Sequence, residues 1–208
     1  MFDHSAEFIG AVALVASRID ARKIDDMAIE IERVRKHGGR LFILGVGGGA
    51  ANASHAVNDF RKLCGVEAYA PTDNVAELTA RINDDGWHRC FEDWLLTSNL
   101  SRDDLLLIFS VGGGSKEVSS CIMGAVSFAR DVGARVLGIV GKADGFTAMS
   151  GNCVIVVPQM PDQWITPLTE TFQIAILHCL VNHPLLNAAA MLRDKFREFG
   201  EAETTEGA

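Results

Sequence analysis

Apolar residues recur at helical spacing through residues 2–37, first at Phe8, Val12, Val15 and Ile19, then at Met27, Ile31 and Val34. This predicts two helices divided near Asp20 to Asp25 and closed by Gly38-Gly39. Beyond that point the pattern changes to short continuous Val/Ile/Leu runs alternating with helical stretches. Strands are predicted at 41–45, 66–70, 105–111, 135–140 and 153–157. Helices are predicted at about 50–64, 75–82, 88–98 and 115–132, with a short turn near 145–150 and a long helix at about 166–182. Asn182-His183-Pro184 ends that last helix, and a shorter one follows. Strands that are apolar throughout, without alternation, are covered on both faces. The implied fold is α/β, a parallel five-stranded sheet flanked by helices and preceded by a helical pair.

Two helices ahead of the first strand have no strand of their own to cover, so they must pack on the sheet or on another copy of the chain. Residues 1–38 are therefore assigned to oligomer packing, 39–200 to the α/β core, and 201–208 (EAETTEGA) to a frayed acidic tail. A length of 208 residues, 48% hydrophobic and 22% charged, fits one domain with a substantial core. The net charge of -8 and the lack of any Lys/Arg run argue against a nucleic-acid partner. Five cysteines without CxxC spacing signal neither a disulfide framework nor a cysteine-rich zinc site, and they read as buried reduced thiols. With no signal-peptide pattern and no apolar run near the ~18 residues of a membrane span, a cytoplasmic protein without a membrane partner is expected.

Two glycine turns carry the first candidate chemistry. Gly45-Val46-Gly47-Gly48-Gly49-Ala50 follows strand 41–45 and satisfies G-x-G-x-x-G/A, with Glu67 where a ribose-binding acid would stand. Ser110-Val111-Gly112-Gly113-Gly114-Ser115 has nearly the same form after strand 105–111. On parallel strands, two such turns put two helix N-termini at one sheet edge, where free N–H groups and helix dipoles favour an anion. Ser110 and Ser115 add hydroxyls, a combination that suits a phosphomonoester; Ser115 as a plain N-cap of helix 115–132 is the structural alternative. A dinucleotide reading of the first turn is weakened by the helical pair ahead of it and by the twin turn.

His55 and Asp59 stand at i, i+4 on the first helix after a glycine turn, so they share one face. That spacing suits a metal or an acid/base pair, and equally a surface ion pair. His178 lies amid Ile174, Ile176, Leu177 and Leu180 on the last long helix, where its ring nitrogens need partners. Glu170 lies on the same helix, but eight helical residues rise about 12 Å. It can join His178 only by reaching along the helix, and as an acid near the helix start it also has a dipole role. Asn83-Asp84-Asp85-Gly86 reads as turn chemistry between helices.

Order and spacing together resemble a sugar isomerase (SIS) domain, specifically the phosphoheptose isomerase family. The stretches that carry the likeness are "GVGGGAANASHAVNDF", "NDDGWHRCFEDWL", "LLLIFSVGGGS" and "ARVLGIVGKADG", followed by the histidine-bearing last helix. The resemblance implies a metal site at His55, Asp59, Glu170 and His178, with zinc as the metal and no nucleotide cofactor. It implies Asp59 or Glu170 as base and His178 as acid in an aldose-ketose isomerisation of sedoheptulose 7-phosphate to D-glycero-D-manno-heptose 7-phosphate through an enediol. The phosphosugar would contact Gly47, Gly48, Gly49, Asn52, Asp84, Ser110, Gly112, Gly113, Gly114 and Ser115. A homotetramer with shared active sites is implied as well.

Some positions depart from the family's pattern. Val46 and Gly49 stand where asparagine and serine are usual, the second turn has lost hydroxyls, Pro167 falls near a family aspartate, and Asp59 and Glu170 replace glutamate and glutamine. The alternative function is a non-catalytic phosphosugar-binding SIS regulator of the replication-initiator-associating type.

Overall fold

The computed structural model describes residues 3–188. The chain opens with helices α1 (His4–Arg18) and α2 (Ala21–Lys36). They separate at Ile19-Asp20, because the Asp20 side chain accepts the Arg22 N–H and so caps α2. α2 buries Ile24, Met27, Ala28, Ile31 and Val34, one face at i, i+3, i+4 spacing. The later elements are β1 (Leu41–Gly45), α3 (Gly48–Cys64), β2 (Ala68–Tyr69), a 3₁₀ turn (Pro71–Asp73), α4 (Val75–Asp85) and α5 (Cys90–Thr97). Then come β3 (Leu105–Ser110), α6 (Ser120–Asp131), β4 (Arg135–Val140), α7 (Phe146–Ser150), β5 (Cys153–Val156) and α8 (Asp162–Val181).

The five strands are all parallel, in the order β2-β1-β3-β4-β5. Every residue of β1 and β3 is buried, as expected for strands covered on both faces. One core, under α2, α3 and α8, gathers Met27, Ile31, Phe60, Phe109 and Leu177; the other, under α5 and α6, gathers Phe42, Phe91, Leu95, Ile108 and Val126. Strand order reverses between β1 and β3, which opens a crevice at their carboxyl ends. At the opposite, amino-terminal edge, Asp104 receives the backbone N–H and guanidinium of Arg40 and is 3% exposed.

Two helix starts differ from expectation. α6 begins at Ser120 instead of 115, because the Ser115 hydroxyl accepts the N–H groups of Glu117 and Val118 and closes a local turn. The residue ahead of α6 is Ser119, left-handed at φ 53, and its side chain makes no cap. α8 begins at Asp162, four residues before the predicted start, and continues through Pro167. Glu170 is therefore well inside the helix, and Asp162 is the acid in its first turn. Of the cysteines, Cys64, Cys90 and Cys121 are buried as expected, while Cys153 is partly exposed and Cys179 exposed; all five are free. Burial pushes the Cys64 thiol up to about 11, which keeps it protonated. The predicted tail at 201–208, and any helix beyond 188, lie outside the described residues.

Candidate active site

α3 and α8 pack side by side, and their facing surfaces bring together three side chains far apart in sequence. Asp59 Oδ2 lies 3.2 Å from His55 Nε2 and 3.8 Å from His178 Nδ1. The two imidazoles meet edge to face at 5.2 Å. Asn58 donates to Asp59 Oδ1 at 2.9 Å, which leaves Oδ2 to the histidines. The Asp59 side chain is 11% exposed while the histidine side chains are 43% and 49% exposed, so a nearly buried anion sits beneath two imidazoles open to solvent. One ligand atom from each residue lies within 4.8 Å of the others. Two histidines and a carboxylate with an open side is a donor set suited to a catalytic divalent metal.

Glu170 is not part of this cluster. Its carboxylate rests against Gly48 at the start of α3, where the Cβ of any other residue would overlap it. A carboxylate there suits the positive end of the α3 dipole. Eight residues separate it from His178, roughly 12 Å of helix, so Glu170 lies up the groove from the three-residue cluster.

Asn52, expected to face substrate, is turned toward α8 instead. Its amide donates to the Glu170 carbonyl at 3.1 Å and to Gln173 Oε1 at 2.9 Å. Gln173 is fully buried and donates to the Ile139 carbonyl at 3.3 Å, which ties α3, α8 and β4 together. Sequence reasoning missed Gln173; the available signal was one amide inside the apolar run FQIAIL.

The second glycine turn is also partly committed within the chain. The Ser110 hydroxyl, 5% exposed, accepts the Gly113 N–H at 3.0 Å. Gly113 and Gly114 are left-handed, at φ 72 and 86, and their carbonyls accept N–H groups from the start of α7. A side chain at Gly113 would press on Gly145. Ser110 and Gly112 nevertheless line a cleft of about 490 Å³ with Val46, Ser119, Lys142 and Thr166. The cleft lies at the carboxyl ends of β1, β3 and β4, where strand order reverses. Ser115 stands aside in its own turn, accepting two N–H groups as described. Asp84 is exposed on α4, where it takes the Asn83 amide at 2.7 Å, and no contact among the described residues joins it to the cluster or the cleft.

No protein-family model matches the chain. The phosphoheptose isomerase of Aliarcobacter butzleri is 28% identical over 189 residues, covering 86% of this chain and 91% of the relative. That of Chlorobaculum parvum is 30% identical over 173 residues, covering 79% and 78%. The structure of a phosphoheptose isomerase from Neisseria gonorrhoeae matches with a TM-score of 0.73 at 23% identity, covering 86% of this chain and 94% of that one, a likeness of fold.

Proposed function

Because this chain belongs to the phosphoheptose isomerase family of sugar isomerase domains, we propose that it interconverts an aldose and a ketose phosphate, sedoheptulose 7-phosphate and D-glycero-D-manno-heptose 7-phosphate first among them. The observation that carries this reading is the convergence of His55, Asp59 and His178 in the same α3/α8 groove that holds Glu170. Those three residues would hold a divalent cation, with zinc suited to the nitrogen and carboxylate donors. Bound there, the metal supplies polarisation of the sugar carbonyl and stabilises negative charge on oxygen.

The remaining steps fall to side chains. Moving a proton between C1 and C2 needs a base and an acid within hydrogen-bond reach of the reacting atoms. Asp59 Oδ2, 3.8 Å from His178 Nδ1, is the base that stands beside the acid, while the Glu170 carboxylate, up the groove at Gly48, is placed to orient the sugar. His178 turns Nδ1 to Asp59 and leaves Nε2 for a proton at the sugar oxygen. The phosphate takes the cleft of Ser110 and Gly112. α1 carries exposed Ile9 and Leu14, which supports its use in a homo-oligomer, a tetramer with shared sites in this reading. Among the described residues no helix is long and apolar enough to cross a membrane, and a cytoplasmic enzyme is proposed.

The test is ¹H NMR of sedoheptulose 7-phosphate and a phosphosugar panel in D₂O, with and without zinc, alongside metal analysis of the purified protein. Loss of the C1/C2 proton signals, faster with zinc, is expected. A panel that keeps all its protons under both conditions would overturn the proposal. Gly48→Ala tests Glu170 separately. The new methyl displaces only the end of a flexible side chain, so stability should change by less than about 1 kcal/mol. The shifted carboxylate should lower kcat by about 10²-fold. Unchanged kcat with unchanged Tm would remove Glu170 from the mechanism.

A further inference from the structure

We propose that Lys142 supplies the counter-charge for the substrate's phosphate, an inference that rests on the phosphosugar reading of the site. The cleft at the second glycine turn offers the hydroxyls of Ser110, Ser119 and Thr166 but little charge. Val46, Val111, Val118 and Ile165 form much of its wall, and the Gly113 N–H is already spent on Ser110. In this open cleft a cation is the strongest partner a phosphate could find, because a charge-assisted hydrogen bond is roughly twice as strong as a neutral one.

Among the described residues, Lys142, which is exposed, is the one basic residue lining the cleft. It makes no ion pair and no side-chain hydrogen bond among the described residues, so its ammonium is uncommitted within the chain. Its place is set by Gly141, where a side chain would strike the Thr169 hydroxyl and crowd the Val111 carbonyl. The Gly141 N–H bonds that same carbonyl at 2.9 Å. The end of β4 is thus held against the second glycine turn, and the next residue is delivered to the cleft. Among the described residues Asp162 is the one acid lining the cleft, and it forms no ion pair with Lys142. A lysine binds phosphate as a mobile point charge and needs no fork geometry.

Isothermal titration with sedoheptulose 7-phosphate, inorganic phosphate and unphosphorylated sedoheptulose tests this. Lys142→Met is expected to weaken both phosphate-bearing ligands by about tenfold or more, with Lys142→Arg within about threefold of wild type. Unphosphorylated sedoheptulose should bind wild type and Lys142→Met alike, and Asp162→Asn should bind phosphate as well as wild type or better. In turnover, the loss at Lys142→Met should fall on KM and leave kcat nearly unchanged. Wild-type affinity for both phosphate ligands in Lys142→Met would overturn the assignment while leaving the isomerase reading intact. A wild-type protein that binds neither phosphate ligand would overturn both.

Discussion

Replacing His178 with alanine is expected to lower turnover of sedoheptulose 7-phosphate by about 10²–10⁴-fold, the range for loss of a positioned proton-transfer group. Two features of the site produce this. His178 is the sole member of the cluster contributed by α8, so its loss leaves only the i, i+4 pair His55 and Asp59 on α3, with two ligands and no opposing wall. Its Nε2 is also the free imidazole nitrogen assigned to the sugar oxygen. The side chain is 49% exposed and fills no core space, so Tm should move by no more than a surface substitution allows. The paired measurements are kcat and bound zinc per chain. Both should fall together, and a His178→Ala protein with wild-type kcat would rule out the proposed chemistry.

The second large effect is on stability. Asp104→Ala should cost about 3 kcal/mol or more, the usual result of removing one partner from a buried ion pair, and lower Tm by roughly 10 °C for a chain of this size. Its carboxylate takes the Arg40 N–H and Nε on Oδ1, and Arg40 Nη2 and the Ser101 N–H on Oδ2. The same guanidinium also donates to the carbonyls of Ser98 and Asn99. Alanine would leave two backbone donors and a partly covered cation without their acceptor. Catalysis at temperatures well below Tm should be unaffected, because Arg40 and Asp104 precede β1 and β3, at the sheet edge opposite the cleft.

The same residue predicts acid sensitivity. Burial alone would raise the Asp104 carboxyl, but hydrogen bonds from the Arg40 side chain and from the backbone of Arg40 and Ser101 outweigh it and hold it below the usual carboxylate value. A depressed folded-state value means the stabilisation is fully present above the unfolded carboxylate pKa of about 3.9 and fades as pH falls through the folded value. Urea titrations at pH 7 and below pH 4 should therefore show the gap between wild type and Asp104→Asn narrowing on acidification. A gap that stays constant or widens would contradict this.

Much of the architecture was readable from local pattern. The sheet strands stand out because a parallel strand buried on both faces becomes an unbroken apolar run, as in LLLIF of β3. His55 and Asp59 were visible as a pair because i, i+4 spacing alone puts them on one face. The start of α6 was hidden because Ser115 has the chemistry of an N-cap yet spends its oxygen on a turn within three residues. The start of α8 was hidden because residues 162–166 are not apolar enough to extend the pattern and Pro167 reads as a breaker. Helical rise correctly separates Glu170 from His178, but that Glu170 rests on Gly48 depends on α3 and is invisible in one segment. Lys142 and the Arg40–Asp104 pair have no local signature, since each owes its role to elements distant in the chain, and Gln173 shows locally only as one amide in an apolar run.

Arg40 and Asp104 are 64 residues apart, and the pairing of Leu41 with Leu105 begins just beyond them. With every strand parallel, no two neighbours can be joined by a tight hairpin. The central pair must find each other across a long loop whose closure entropy precedes any reward, which places this chain among slow folders of high contact order. The ion pair then acts as an alignment pin. A slip of one residue between β1 and β3 would turn Phe42 and Leu44 toward the wrong layer, and only the native offset lets Asp104 meet the Arg40 backbone and guanidinium together.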